Sequence, residues 1–226
     1  MEPRLERLAE MVRPGWGLAE IAANDAIFSA TLVKRGIIPY AIASDIGTSP
    51  VLLAQRRVWH DGLSARIAVR QGDGLTPIAV GEVPQVAIAG IGGLRMTRLL
   101  EAGRPQLRGV HRLVLQPMGH EYAVRFWLSR QGWRIAEEHF LWRRQHGYFF
   151  MSAERGVEVL SPNACLLGPR LMEHPPESYV AFAQEEVVRL RHRLAGQGRS
   201  VSAQGDEAFW QDALVKAGEV VMEWSL

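Results

Sequence analysis

The run VPQVAIAGIGGL, residues 83–94, is the longest stretch of the chain without Asp, Glu, Lys or Arg, and its reading decides the fold. The first part, QVAIA at 85–89, is a compact apolar run with no polar alternation, as in a strand buried on both faces. Gly90-Ile91-Gly92-Gly93 then makes a turn, and the residues up to Ala102 read as a helix. A buried strand that turns on glycines into a helix is half of a βαβ unit. At twelve residues the run is too short for a membrane span, which needs about 20.

Outward from this unit the same grammar repeats. Towards the N-terminus lie a strand at 17–23 (GLAEIAA), a helix at 26–35, a strand at 40–43 (YAIA) ending on Ser44-Asp45, and a helix at 49–60. Pro50 falls in the first turn of that helix, where a missing amide costs nothing. A strand at 66–70 (RIAVR) follows, then Gly72-Asp73-Gly74. Towards the C-terminus lie a strand at 111–115 (HRLVL), Gln116-Pro117, a helix through Gln131, and a closing pair of strands at 133–140 and 148–153. An amphipathic helix with Leu5, Leu8, Met11 and Val12 on one face precedes them all and stops at Pro14-Gly15. The expected fold is α/β, with a mostly parallel sheet. Right-handed crossovers bring the C-terminal ends of its strands to one rim, where ligands of open α/β sheets bind.

Beyond Arg155 the pattern changes. Pro162, Pro169, Pro175 and Pro176 interrupt a linker. Val180, Ala183, Val187, Leu190 and Leu194 then fall at alternating spacings of 3 and 4, as do Trp210, Leu214, Ala217 and Val221. Gly196-Gln197-Gly198 separates the two seams, the second of which starts near Asp206. This reads as a C-terminal α-helical hairpin, or as two helices packed on the sheet. Residues 1–155 and 156–226 are the expected units.

Composition narrows the function. Apolar residues are 47 % and charged residues 22 %, as in a globular protein. Residues 1–155 carry 20 basic and 14 acidic side chains, while 156–226 carry 6 and 10. The first part therefore has a net charge of +6 and the second −4, which points to an anionic partner for the first. Lys34 and Lys216 are the only lysines. Arginine suits phosphate through its planar fork, although coding bias also exchanges Lys for Arg. A single cysteine, Cys165, excludes an internal disulfide and a Cys-based zinc site. The seven histidines form no metal-binding pair in sequence, so no metal is expected. The charged N-terminus MEPRLERLAEMVR has no apolar signal core, and the cytoplasm is the expected address. Neither a GxSxG elbow nor a P-loop lysine pattern occurs.

Four groups at strand ends could carry chemistry. Asp45 ends the second strand, where a carboxylate can accept from both hydroxyls of a ribose; a loop acid is the plain alternative. Asp73, between glycines, can accept from an adenine amino group or make a tight turn. Gly90, Gly92 and Gly93 let a ligand pass close over bare backbone, with Arg95 and Arg98 near the following helix N-terminus. Gln116, beside Pro117, offers both a donor and an acceptor to a base edge.

In order, LAEIAANDA, AIASDIGTSP, GDGL, IAGIGG, LQPM and FWLSRQGWRIAEEHF resemble the bacterial tRNA adenine-22 N1-methyltransferase family, over nearly the whole chain. LLGPRLMEHPPESY resembles the join to that family's helical extension. The resemblance implies a Rossmann-like class I methyltransferase fold with an antiparallel closing strand and a coiled-coil-like hairpin behind it. It implies S-adenosylmethionine as cofactor and N1 of an adenine in tRNA as acceptor. Carried over by position, Glu20 and Ala22 fall in the first cofactor loop. Asp45 and Ile46 would take the ribose and adenine side, Asp73 and Gly74 would contact the adenine, and Gly90 would complete the cofactor-binding set. Gly92, Gly93, Gln116 and Pro117 would face the target base, and Asn24, Asp25 and Gln116 would be the catalytic group. Three positions depart from the family pattern. Ala22 stands for a glycine, Asn24-Asp25 for Asp-His, and Met118 for an asparagine. These departures carry the alternative of a diverged protein that binds RNA or cofactor without efficient turnover, or that methylates another acceptor. Oligomeric state is not legible.

Overall fold

The computed structural model describes residues 2–196 and 207–224. Its strands are β1 (Leu18–Ile21), β2 (Ala41–Asp45), β3 (Ile67–Gln71), β4 (Gln85–Ile91), β5 (Arg112–Pro117), β6 (Trp133–Arg143) and β7 (His146–Arg155). They form one seven-stranded sheet in the order β3-β2-β1-β4-β5-β7-β6. Every pairing from β3 through β5 is parallel, and β7 runs antiparallel to both of its neighbours. The closing strand therefore inserts between β5 and β6 rather than adding to the edge. This is the Rossmann-like methyltransferase arrangement.

Helices cover both faces. α1 (Pro3–Glu10), α2 (Ile27–Lys34) and α3 (Thr48–His60) lie on one side, where Leu8, Phe28, Leu32 and Val58 pack in one cluster with Ala43 and Phe150. α4 (Gly93–Ala102) and α5 (Glu121–Arg130) lie on the other, where Met96, Leu100, Val124 and Leu128 pack with Ile21, Ile88 and Leu115. Strand residues alternate between these two clusters, so every central strand is apolar on both sides.

Three local features differ from the expected pattern. β1 ends at Ile21, two residues early, because Ala22 turns into the left-handed region at φ 56°. β6 and β7 run on to a tight turn at Arg144-Gln145. The linker contains α6 (Pro162–Leu167) and α7 (Pro169–Glu173), whose prolines start helices instead of breaking them.

α8 (Glu177–Gly196) and α9 (Glu207–Glu223) follow. Tyr179, Ala183 and Val187 of α8 meet Ala217 and Val221 of α9, and the same cluster includes Phe149 of β7 and Leu167 and Leu171 of α6 and α7. The two helices thus pack on each other and on the outer strand pair at once. Gln197, Gly198 and Asp206 lie outside the described residues, as do the side chains of Leu190, Leu194 and Trp210. Among the described residues no helix is long and apolar enough to cross a membrane, and no group of His, Cys, Asp and Glu could hold a metal ion.

Candidate active site

The order of strands reverses between β1 and β4, which splays the loops after them and opens a crevice at the C-terminal rim. A shallow cleft open to solvent lies there, formed by the ends of β1, β2 and β3 with one wall from α4. Ile21 and Ala22, Ser44 to Ile46, and Gly72 to Gly74 line it, facing Arg95 and Leu99.

Asp45 is held from two directions. Its Oδ1 accepts from the Gly47 amide at 3.0 Å, and its Oδ2 accepts from the Asn24 amide at 3.1 Å. Each carboxylate oxygen keeps lone-pair capacity after one such bond, as a diol requires. Ser44 Oγ is buried in the same lining with no hydrogen-bond partner in the protein. Ile46, 52 % exposed, offers an apolar surface at the mouth. Gly74 sits at φ 53°, and a Cβ there would come within 3.0 Å of Leu99 Cδ2. Together these groups fit a nucleoside: acceptors for hydroxyls and an amine, an unused hydroxyl, and an apolar face.

The loop after β1 takes three left-handed residues within five, Ala22, Asn24 and Ala26 at φ 51–56°. None is glycine; the left-handed region costs each alanine roughly 1–2 kcal/mol and the asparagine less. The methyl of Ala22 forms part of the wall without closing the cleft. Glu20 lies beneath this loop, accepting from the Ser29 amide at 3.0 Å and the Ser29 hydroxyl at 2.5 Å. Burial pushes its pKa up to about 7 against those bonds, with Asp25 and Asp45 adding repulsion.

Asp25 does not turn towards the cleft. Its carboxylate pairs with Arg57 Nη2 at 2.6 Å, while Arg57 Nε donates to the Asp25 carbonyl at 2.9 Å. The residue thereby anchors the first loop to α3. Asn24 meets the site through its backbone amide rather than its side chain.

A second group adjoins the first across the β1–β4 pair. Gly90, at φ 76°, marks a register shift in β4. The β4–α4 and β5–α5 loops are joined by hydrogen bonds from the Met118 amide to the Ile91 carbonyl and from the Gly93 amide to the Gly119 carbonyl, both 2.9 Å. A Cβ at Gly93 would lie 2.4 Å from the His120 carbonyl, so only glycine permits this approach. A Cβ at Gly92 would lie 3.8 Å from the Met118 carbonyl oxygen, an ordinary contact. Gln116 is fully buried; its Nε2 donates to the Pro117 carbonyl at 2.9 Å and lies 3.3 Å from Met118 Sδ. Arg4 of α1 reaches over this group, donating from Nη1 to Gln116 Oε1 at 3.4 Å, with its Nε buried and unpartnered.

Of the residues expected at the site, the structure thus gathers Ala22, Asp45, Ile46, Asp73 and Gly74 round one cleft. Gly90 and Gly92 form the adjoining rim, whereas Gly93, Gln116 and Pro117, expected to face the target base, are buried directly beneath it, with the Gln116 amide engaged by the Pro117 carbonyl and Arg4. Sequence reasoning missed Ser44, which reads only as a strand end, Leu99, one apolar position among several in a helix, and Arg4, which lies on a helix 112 positions from Gln116.

The sheet order and the rim cleft define an S-adenosylmethionine-type methyltransferase fold, and a family model described as a methyltransferase domain matches residues 1–151. The tRNA (adenine(22)-N(1))-methyltransferase of Bacillus subtilis (strain 168) is 36 % identical over 198 residues, covering 85 % of this chain and 82 % of the relative. The chain belongs to this tRNA adenine N1-methyltransferase family. The crystal structure of B. subtilis TrmK superposes with a TM-score of 0.85 at 28 % identity, covering 99 % of this chain and 97 % of that one. A Streptococcus pneumoniae protein solved in complex with S-adenosyl-L-methionine gives 0.84 at 30 % identity, covering 99 % and 98 %.

Proposed function

We propose that this protein transfers a methyl group from S-adenosylmethionine to N1 of an adenine in tRNA. The observation that carries the reading is Asp45 at the end of β2, held by two backbone amides with acceptor capacity left on both oxygens. When bound, S-adenosylmethionine supplies an electrophilic methyl group on a sulfonium. Asp45 accepts from the two ribose hydroxyls, Asp73 accepts from the cofactor's amino group, and Ile46 and Leu99 cover the ring. Gly90 keeps the path to the acceptor open, and Gly92, Gly93, Gln116 and Pro117 shape the place where the target base lies.

Adenine N1 already carries a lone pair, so no side chain has to create the nucleophile. The protein must unstack the base, align N1 with the methyl carbon and exclude water. The N1–carbon bond forms as the carbon–sulfur bond breaks, leaving S-adenosylhomocysteine and a positive charge on the base. Asp25 remains in its Arg57 ion pair, so any later N6 proton leaves to water. The net +6 of residues 1–155 supplies phosphate contacts. Residues 1–155 serve as the catalytic unit and 156–226 as the linker and hairpin behind it. The cytoplasm suits both the substrate and the single thiol. A changed acceptor is the second reading, favoured by Met118 lying against the Gln116 amide where the family pattern carries an asparagine.

Tritiated methyl transfer to unmodified tRNA transcripts tests both readings. Label should enter a transcript with adenine at position 22 and not its guanine variant, and Asp45→Ala should abolish it. Equal labelling of both transcripts points to another acceptor; labelling that survives Asp45→Ala removes the nucleoside pocket from the reaction.

A further inference from the structure

We infer that the tip of the β6–β7 hairpin, residues 142–146, is an RNA-binding arm that grips the phosphate backbone beside the target adenine. The inference rests on the tRNA reading above and adds the surface that holds the RNA.

The register shows how far the arm extends. β7 pairs with β5 only from Arg112↔Glu154 to Leu115↔Met151, whereas β6 and β7 stay paired to Arg143↔His146. β5 ends at Pro117, about opposite Phe149, so three further residues of β7 project past it. At about 3.3 Å per residue the tip stands roughly 10 Å above the rim that carries Gln116 and Pro117. It rises on the acceptor side of the site, next to β5.

Its chemistry suits an anion. The tip reads Trp142-Arg143-Arg144-Gln145-His146 and holds no acid. Elsewhere in this half of the molecule arginines are commonly neutralised: Arg35 pairs with Glu6, Arg57 with Asp25, Arg70 with Glu82, and Arg112 with Glu137 and Glu154. Arg143 and Arg144 form no ion pair among the described residues, and Arg143 Nη1 is buried without a partner. Two cations held at one point without a counter-charge attract a polyanion, and arginine matches phosphate through paired N–H donors.

The backbone tells the same story. Arg144 and Gln145 have φ 48° and 60°, the left-handed pair of a two-residue hairpin turn. Asn-Gly makes that turn without strain, yet arginine occupies it here, and strain of this kind collects at functional positions. The arm is also braced. Phe182 of α8 packs on Phe140 and Trp142, with ring centroids 5.1 and 5.9 Å away. Trp142 remains 45 % exposed, a surface on which an unstacked base can lie. An aromatic face beside two arginines that lack acidic partners, Arg144 exposed and Arg143 half-buried, fits RNA better than an acidic peptide.

Binding of a fluorescent tRNA transcript, measured by anisotropy from 50 to 300 mM KCl, tests the arm. The Arg143→Gln/Arg144→Gln double variant should bind about tenfold or more weakly at 100 mM salt. Its log–log salt slope should fall by about 2, close to one for each phosphate that is no longer gripped. The KM for tRNA should rise with kcat nearly unchanged, and calorimetric affinity for S-adenosylmethionine should stay the same, which reports an intact fold. Arg108→Gln, exposed at the opposite edge before β5, should change none of these. Wild-type tRNA binding with an unaltered slope in the double variant overturns the arm while leaving the tRNA reading standing. A wild-type protein that takes S-adenosylmethionine but no tRNA overturns both.

Discussion

Ala22 concentrates the tension between framework and site. Its φ of 56° is one that glycine adopts freely and alanine does not. Ala22→Gly should relieve part of that strain, raising stability by up to about 1 kcal/mol, because added freedom in the unfolded chain offsets some of the gain. It should also tighten S-adenosylmethionine binding by removing a methyl from the cleft wall; urea titration and calorimetry read the two effects, and weaker binding would show that the methyl touches the cofactor favourably. Glu20 makes a pH-dependent counterpart. Its folded pKa, about 7, lies above the ordinary carboxylate value of 4.5. Below pH 4.5 both states are protonated and nothing is lost. As pH rises to 7 the unfolded chain releases its proton first, so stability falls and stays lower above pH 7. Glu20→Gln mimics the protonated acid and should stabilise at about pH 8 by up to roughly 3 kcal/mol, the gain vanishing near pH 4; equal stabilities at both pH values would show that Glu20 ionises normally.

At the scale of elements, what the sequence revealed and what it hid have different physical causes. The strands β1, β2, β4 and β5 were legible because burial on both faces demands short apolar runs, and β3, more exposed, because Gly72 closes its short IAVRQ run. β1 reads two residues too long because no glycine or proline marks its end. Asp45 and Asp73 were legible because one ends β2 and the other sits in the glycine turn just after β3. The ends of β6 and β7 were not, because His146 and Arg143 pair in a projecting hairpin where burial no longer dictates residue type. α6 and α7 were hidden because a proline signals a helix start as readily as a break. Their placement depends on one buried ion pair that no periodicity reveals. Arg125 Nε lies 2.7 Å from Glu138 Oε1, with both side chains 1 % exposed, and Arg125 Nη1 donates to the carbonyls of Cys165 and Leu166 in α6. Gly168, between α6 and α7, passes so close that a Cβ would lie 2.8 Å from both Arg125 Nη2 and Glu138 Oε2. Its φ of 90° also suits glycine alone. Gly168→Ala should therefore destabilise by on the order of 2–4 kcal/mol, combining backbone strain with displacement of a buried pair. Urea unfolding with an unchanged m-value would measure it; a loss below about 0.5 kcal/mol, the size of an ordinary surface substitution, would mean the pair shifts aside freely.

The whole molecule raises the question of how independent its two expected units are. The change of composition at Arg155 is real, and the net charge reverses there from +6 to −4. Packing nevertheless crosses that boundary densely. Phe149 of β7, 5 % exposed, sits in one cluster with Tyr179, Ala183 and Val187 of α8 and with Ala217 and Val221 of α9. The Tyr179 hydroxyl donates to the Leu167 carbonyl, and Arg170 bridges Glu158 and Glu173 while donating from Nε to the Ile135 carbonyl of β6. A helical pair that shares its core with two strands cannot melt without exposing those strands, and strands stripped of it lose one covered face. Calorimetry should accordingly give one transition, with van't Hoff and calorimetric enthalpies equal within error. Phe149→Ala discriminates further. Truncating a buried phenylalanine typically removes about 3–5 kcal/mol, and a shared core spreads that loss over the entire protein, moving the single midpoint down without splitting it. A low-temperature loss of helical signal that precedes the loss of S-adenosylmethionine binding would instead show that the α8–α9 pair unfolds separately, and the docking of strand pair and helices would then contribute little to stability.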